Sequence, residues 1–219
     1  MKFLLKNRIE AGQLLATKLI KYANDSDRLI LALPRGGVPV AYCIAQKLNL
    51  PLDVCLVRKL GTPQRPELAM GAIGPSGVMV INESVVNSLN ISDETIQKVA
   101  QREQQELERR ELLYRGDHPY RGIQDQTIIL VDDGAATGAT LQAAIATIRK
   151  QNPKTIIVAV PIISPEALLA LDPVVEELVY LFSPYPLESI SYWYNNFAQT
   201  TDEEVCHLLN SFFLPFALR

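Results

Sequence analysis

Apolar residues fall along this chain in two rhythms. From about Arg8 to Tyr22, Ile9, Leu14, Leu15, Leu19 and Ile20 recur at roughly helical spacing and predict an amphipathic first helix. Beyond it, short runs rich in Leu, Ile and Val recur at Arg28–Leu33, Leu52–Arg58, Gly77–Ile81, Thr127–Val131, Thr155–Val160 and Glu177–Leu181. Helix-like segments such as Val38–Leu48 and Ala139–Lys150 separate most of them. This βαβ alternation predicts an α/β fold with a mainly parallel sheet of about six strands and helices on both faces, three layers in all. The runs are nearly continuous rather than alternating, as strands covered on both faces require.

Between the third and fourth runs lies the longest helical candidate, Asp93 to about Leu113, with Ser92 as N-cap and Asp93 and Glu94 in the first turn. Its apolar content is thin, and Arg102/Glu106 and Glu106/Arg110 stand four apart, so it reads as a largely solvated helix with surface pairs. It also offers a surface for a homodimer. A capping box, Thr201 to Glu204, starts a last helix through Leu209. The organisation expected is one domain over residues 1–219, with a core of about 25–182, an inserted helical segment of about 83–118 and a small C-terminal hood of about 183–219.

Composition narrows the function. The 219 residues are 48% hydrophobic and 21% charged with a net charge of −3, so no basic excess points to nucleic acid, and an anion site must be local. The three cysteines, Cys43, Cys55 and Cys206, are odd in number, sit among apolar neighbours and lack CxxC spacing; neither zinc nor a disulfide framework is indicated. No apolar run approaches the ~18 residues needed to span a bilayer, and the opening Met-Lys-Phe-Leu-Leu-Lys does not read as a signal. The expectation is an untargeted, soluble, cytoplasmic protein.

The strongest chemical signal is the stretch from Ile128 to Thr140. A buried strand ends in two adjacent acids, Asp132 and Asp133, and a loop of small residues and hydroxyls, Gly134, Ala135, Ala136, Thr137, Gly138, Ala139 and Thr140, opens a helix. Small residues let backbone N–H groups converge on an anion, and the helix adds its positive end, so phosphate is the natural occupant. Two carboxylates directly before it can accept hydrogen bonds from a vicinal diol. Phosphate beside a diol means a ribose phosphate.

This segment resembles the phosphoribosyl pyrophosphate fingerprint of type I phosphoribosyltransferases. The resemblance implies that Asp132 and Asp133 hold the ribose 2′ and 3′ hydroxyls and that Ala136 to Thr140 hold the 5′-phosphate. Leu33-Pro34-Arg35-Gly36-Gly37, after the first strand, resembles the family's pyrophosphate loop, in which a cis peptide before the residue matching Arg35 turns backbone amides toward pyrophosphate. Gly36 and Gly37 permit close backbone approach. The family's first and fourth strands lie side by side at a switch point of strand order, so both loops would face one crevice. A third segment, Arg58 to Glu67, suits a mobile lid, and Arg58-Lys59 is similar to the basic pair opening the flexible loop of adenine and orotate phosphoribosyltransferases.

By that resemblance the catalytic candidates are Arg35, Arg58 and Lys59, all directed at pyrophosphate. Mg²⁺ is the implied cofactor, held mainly by phosphoribosyl pyrophosphate and water rather than by protein ligands. Enzymes for 6-oxopurines carry an acid where this chain has Ala136, which argues against that acceptor class. Glu67 is a candidate base if the loop closes over the site. The hood candidate, Ser189 to Gln199, contains Tyr192, Trp193 and Phe197, which can either stack on a planar acceptor or pack the last helix against the sheet.

Two functions remain. One is transfer of a ribose 5-phosphate group from phosphoribosyl pyrophosphate to a nitrogenous small-molecule acceptor. The other is a non-catalytic protein that senses phosphoribosyl pyrophosphate. The chain is too short for a phosphoribosyl pyrophosphate synthetase, and no G-x-G-x-x-G follows an early strand. The whole pattern looks like a bacterial group known only as predicted phosphoribosyltransferases, whose acceptor does not follow from the sequence.

Overall fold

Alternate residues of the same strands face two different cores, which is why the apolar runs are continuous. In the computed structural model, which describes residues 4–66, 68–74 and 77–213, strand β1 (Arg28–Ala32) lies between β2 (Leu52–Val54) and β6 (Thr127–Val131). Strands β7 (Thr155–Ile162) and β8 (Glu177–Phe182) continue the sheet beyond β6, and all neighbours are parallel. Ile128 and Leu130 join one core with Leu141 and Ile145 of α5 (Ala139–Arg149) and Ala167 of α6 (Pro165–Leu171). Ile129 and Val131 join the other with Leu15 of α1 (Arg8–Lys18), Ile44 of α2 (Gly37–Leu48) and Leu209 of α7 (Asp202–Phe213). At about 1.5–3 kcal/mol for each buried aliphatic side chain, both faces contribute to holding the layers together.

The third expected parallel strand belongs elsewhere. Strands β3 (Arg58–Gly61), β4 (Ala69–Ile73) and β5 (Met79–Ile81) form a separate three-stranded antiparallel sheet. A parallel crossover needs about a dozen residues, and the turns here are too short for one. Arg58 to Gly61, expected in a loop, is thus a strand, and only the turn beyond it stays irregular.

The inserted segment forms α3 (Glu83–Ser88) and α4 (Asp93–Arg115), with Ser92 accepting from Thr95 N–H as expected. α4 is less solvated than its composition suggests: Ile96, Ala100, Glu103 and Leu107 form a buried stripe at helical spacing. The stripe includes a charged residue because Arg58 bonds Glu103 from β3 (2.8 Å). Arg102 turns to Glu103 rather than to Glu106, which takes Arg109 and Arg110 instead. At the end of α4, Arg115 donates to Asp53 Oδ1 (2.9 Å) and to the Val54 carbonyl (2.8 Å), a buried ion pair that ties the insertion to the sheet edge.

A short ribbon joins distant segments. Leu5 N–H donates to Trp193 O (2.9 Å), Asn195 N–H to Leu5 O (2.8 Å) and Asn196 N–H to Lys6 O (3.0 Å). Beneath it, Leu5, Ala11, Ile162 and Tyr194 form a third small core, against which Trp193 and Phe197 pack. Thr201 accepts from Glu204 N–H and starts α7, which runs past Leu209 to Phe213. No helix among the described residues is long and apolar enough to cross a membrane.

Candidate functional site

The strand order reverses between β1 and β6, and the loops that leave their C-terminal ends meet there. Leu33 N–H donates to Val131 O (2.9 Å), extending the pairing of the two strands to the loop. The Pro34–Arg35 peptide is cis. Gly36 and Gly37 then pass so close to the second loop that side chains would collide. A Cβ on Gly36 would sit 1.9 Å from Asp133 Oδ2, and one on Gly37 would sit 2.7 Å from Val131 O and 2.9 Å from Asp132 Cα.

Both acids face this junction. Asp132 Oδ1 accepts from Asp133 N–H (2.8 Å), which turns the first carboxylate back over the loop. Arg8, at the start of α1, holds the second: its Nε lies 2.8 Å and its Nη2 2.7 Å from Asp133 Oδ2. Arg8 also donates to Ala198 O (2.7 Å), and its guanidinium carbon sits over the Phe197 ring, 3.9 Å from its centre. Tyr194 donates its hydroxyl to the Asp133 carbonyl (2.8 Å). Burial raises the pKa of both carboxyls, Asp133 pushes Asp132 higher still, and the Arg8 guanidinium opposes the rise at each. Burial and the nearby Asp133 charge hold the Tyr194 phenol protonated.

Beyond the acids, Gly134 to Leu141 line a concavity of about 210 Å³ together with Asp132 and Ile190. Gly138 has φ +72°, a left-handed conformation that glycine adopts without strain, and α5 starts at the next residue. The first N–H groups of a helix lack partners within it; Thr137 Oγ1 accepts from that of Ala139 (3.3 Å), and Ala139 to Leu141 at the start of α5 line this concavity, which suits a phosphate. Ser164 donates to Ala136 O and steadies the loop from behind. Ile190 covers Gly134, where a Cβ would lie only 2.5 Å from its side chain.

The other candidates are more dispersed. Arg35 points to Asp202 at the start of α7 (3.8 Å), which also accepts from the Tyr114 hydroxyl (2.6 Å). Arg58 is engaged by Glu103, with Lys59 beside it on β3. Glu67 lies outside the described residues. In the hood, Trp193 packs on the third core and Phe197 carries Arg8, while Tyr192 is 56% exposed. Among the described residues no three His, Cys, Asp or Glu side chains converge as a metal-ligand set.

Sequence reasoning missed Arg8 and Asp202 as site residues, and it placed Tyr194 only among the aromatics of the stretch Ser189 to Gln199, not against Asp133. Arg8 had a signal: a cation in the first helical turn runs against the helix dipole, so its position asks for a partner outside the helix.

Comparison with known proteins agrees with this geometry. Two curated Mycobacterium tuberculosis proteins, from strains CDC 1551 and H37Rv and both provisionally named phosphoribosyl transferases, are 37% identical over 214 residues. The match covers 98% of this chain but 48% of theirs, so the chain spans about half the length of the curated relatives it matches. The crystal structure of the protein TT1426 from Thermus thermophilus superposes with a TM-score of 0.86 at 36% identity, covering 97% of this chain and 99% of that one. Residues 4–179 match the phosphoribosyl transferase domain, and the chain belongs to that family.

Proposed function

We propose that this chain binds phosphoribosyl pyrophosphate and transfers its ribose 5-phosphate group to a small nitrogenous acceptor, releasing pyrophosphate. The observation that carries the reading is the interlocked pair of loops, in which Gly36 and Gly37 bring the cis-peptide segment against Asp132 and Asp133. On this reading Asp132 and Asp133 accept from the ribose hydroxyls, and Ala136 to Thr140 hold the 5′-phosphate. The backbone from Pro34 to Gly37, with Arg35, would meet the pyrophosphate.

As the bond from C1 to pyrophosphate breaks and the acceptor nitrogen enters from the opposite face, the ribose ring gains positive charge. The chain's task is to hold the ribose fixed, offset the charge of the leaving group and exclude water. On this reading Asp132 and Asp133 are taken up by the ribose hydroxyls, and Mg²⁺ would arrive on the pyrophosphate with its own waters and neutralise phosphate charge. Arg35 would have to exchange its contact with Asp202 for the pyrophosphate.

One observation favours a second reading, a protein that binds the same ligand without catalysis: Arg58, a candidate for the leaving group, is held by Glu103. Calorimetric titration of phosphoribosyl pyrophosphate and Mg²⁺ into wild type and an Asp132→Asn/Asp133→Asn variant separates the cases when combined with a pyrophosphate-release assay over purines, pyrimidines and other ring-nitrogen compounds. Binding lost in the variant, with release stimulated by one acceptor, is the expected result. Binding without release would favour the sensor, and no binding to folded wild type would overturn both readings.

A further inference from the structure

Arg8 lies 125 residues from Asp133 in sequence, yet both of its contacts with that carboxylate fall on one oxygen, Oδ2. A planar guanidinium facing a carboxylate usually engages both oxygens in parallel. Here Oδ1 is left out of the pair. Oδ2 is also confined by the Gly36 backbone, which leaves no space even for a methyl group. Arg8 is itself fixed by contacts independent of the acid: the Ala198 carbonyl takes one nitrogen, the Phe197 ring covers its face, and its backbone sits in α1. Its side chain is 11% exposed.

On the reading that this crevice takes a ribose phosphate, we propose that Arg8 is a positioning residue for the ribose: it clamps Asp133 through Oδ2, leaving Oδ1 to accept from a ribose hydroxyl. A side chain anchored at three points is poorly suited to swing away when ligand arrives, which argues against a plug that must be displaced. It also opposes the effect of burial and so favours the form of Asp133 that accepts. The charged and titratable groups facing this carboxylate are Arg8, Asp132 and the Tyr194 hydroxyl, and Arg8 is the one that favours its ionised form. A neutral carboxyl would offer a proton where the diol needs a lone pair.

The test is calorimetric titration of phosphoribosyl pyrophosphate, and separately of pyrophosphate alone, into wild type, Arg8→Met, Arg8→Lys and Phe197→Leu across a range of pH with Mg²⁺ present. Loss of a group that orients a metal-ligating side chain typically costs about ten- to a hundred-fold, and the same scale is taken for this acid. Arg8→Met should weaken phosphoribosyl pyrophosphate by that factor at neutral pH and move the acid limb of binding to higher pH. Arg8→Lys should recover part of the affinity and return the limb. Pyrophosphate, which has no diol, should bind wild type and variant alike.

Phe197→Leu keeps the cation but removes the surface it rests on, so it should show a smaller loss in the same direction. It and Arg8→Lys carry the test if thermal melts show that Arg8→Met does not fold. Equal or tighter binding of phosphoribosyl pyrophosphate by folded Arg8→Met, or equal losses for both ligands, would overturn the inference while leaving the proposed function standing. Wild type that binds neither ligand would overturn both.

Discussion

Gly36 and Asp133 stand so close that a single methyl group cannot be placed between them: the position of its carbon would be 1.9 Å from Oδ2. In Gly36→Ala, the carboxylate end must leave its present position, which disturbs its contacts with Arg8, because it is the movable part of the contact. That exchange should weaken phosphoribosyl pyrophosphate binding at least ten-fold and cost about 1–3 kcal/mol of stability, the range for overpacking. Gly37→Ala meets backbone instead, at Val131 O and Asp132 Cα, so it should lose more stability than Gly36→Ala. Thermal denaturation and calorimetry on the two variants give both quantities.

Asp132 should limit the stability of the protein without ligand. Its folded-state pKa is raised well above the ordinary 3.8 by burial and by Asp133. Below 3.8 the carboxyl is protonated in both states; as pH rises through the folded-state value, the unfolded chain has already released the proton and native stability is lost. Asp132→Asn cannot ionise yet can still accept from Asp133 N–H. It should therefore melt above wild type at neutral pH, with the difference shrinking toward acid pH, while it loses affinity for phosphoribosyl pyrophosphate. Melting temperatures over a pH series check the sign.

The buried pair between Arg115 and Asp53 should behave asymmetrically. Asp53 Oδ2 has no hydrogen-bond partner, and Oδ1 accepts from Val54 N–H and from Arg115, which supplies the charge that offsets the acid. Arg115→Met would leave a buried carboxylate without its cation and should cost about 3–5 kcal/mol in urea denaturation. Asp53→Leu combined with Arg115→Met should cost much less than that single change, since no deeply buried charge remains and Glu111, the other partner of Arg115, reaches solvent.

Several parts of this molecule were legible because they rest on short-range chemistry. Thr127–Val131 is a strand at the expected bounds, Ser92 and Thr201 cap the helices they precede, and the two loops do meet at the strand switch point. The three-stranded antiparallel sheet was hidden because Ala69–Ile73 contains Gly71 and two alanines, residues that do not announce a strand, and because Arg58 to Gly61 looks like loop. The buried face of α4 was hidden because Glu103 and Arg115 count as polar until their partners on β3 and β2 are known. Arg8 was hidden for the same reason: the acid it serves lies far along the chain, and only the assembled fold joins them.

The ribbon between Leu5 and Trp193–Asn196 bears on when the site is finished. During synthesis at about 5–20 residues per second, Asp132 and Asp133 emerge several seconds before Phe197 and Ala198. In that interval the sheet from β1 to β6 has the residues it needs, but Arg8 lacks both the ring it lies on and the carbonyl it bonds. Contacts this distant in sequence are also slow to close. The acids therefore gain their fixed cation as a late event, and a nascent chain released before residue 198 would carry the whole loop from Asp132 to Thr140 without a fully anchored Arg8.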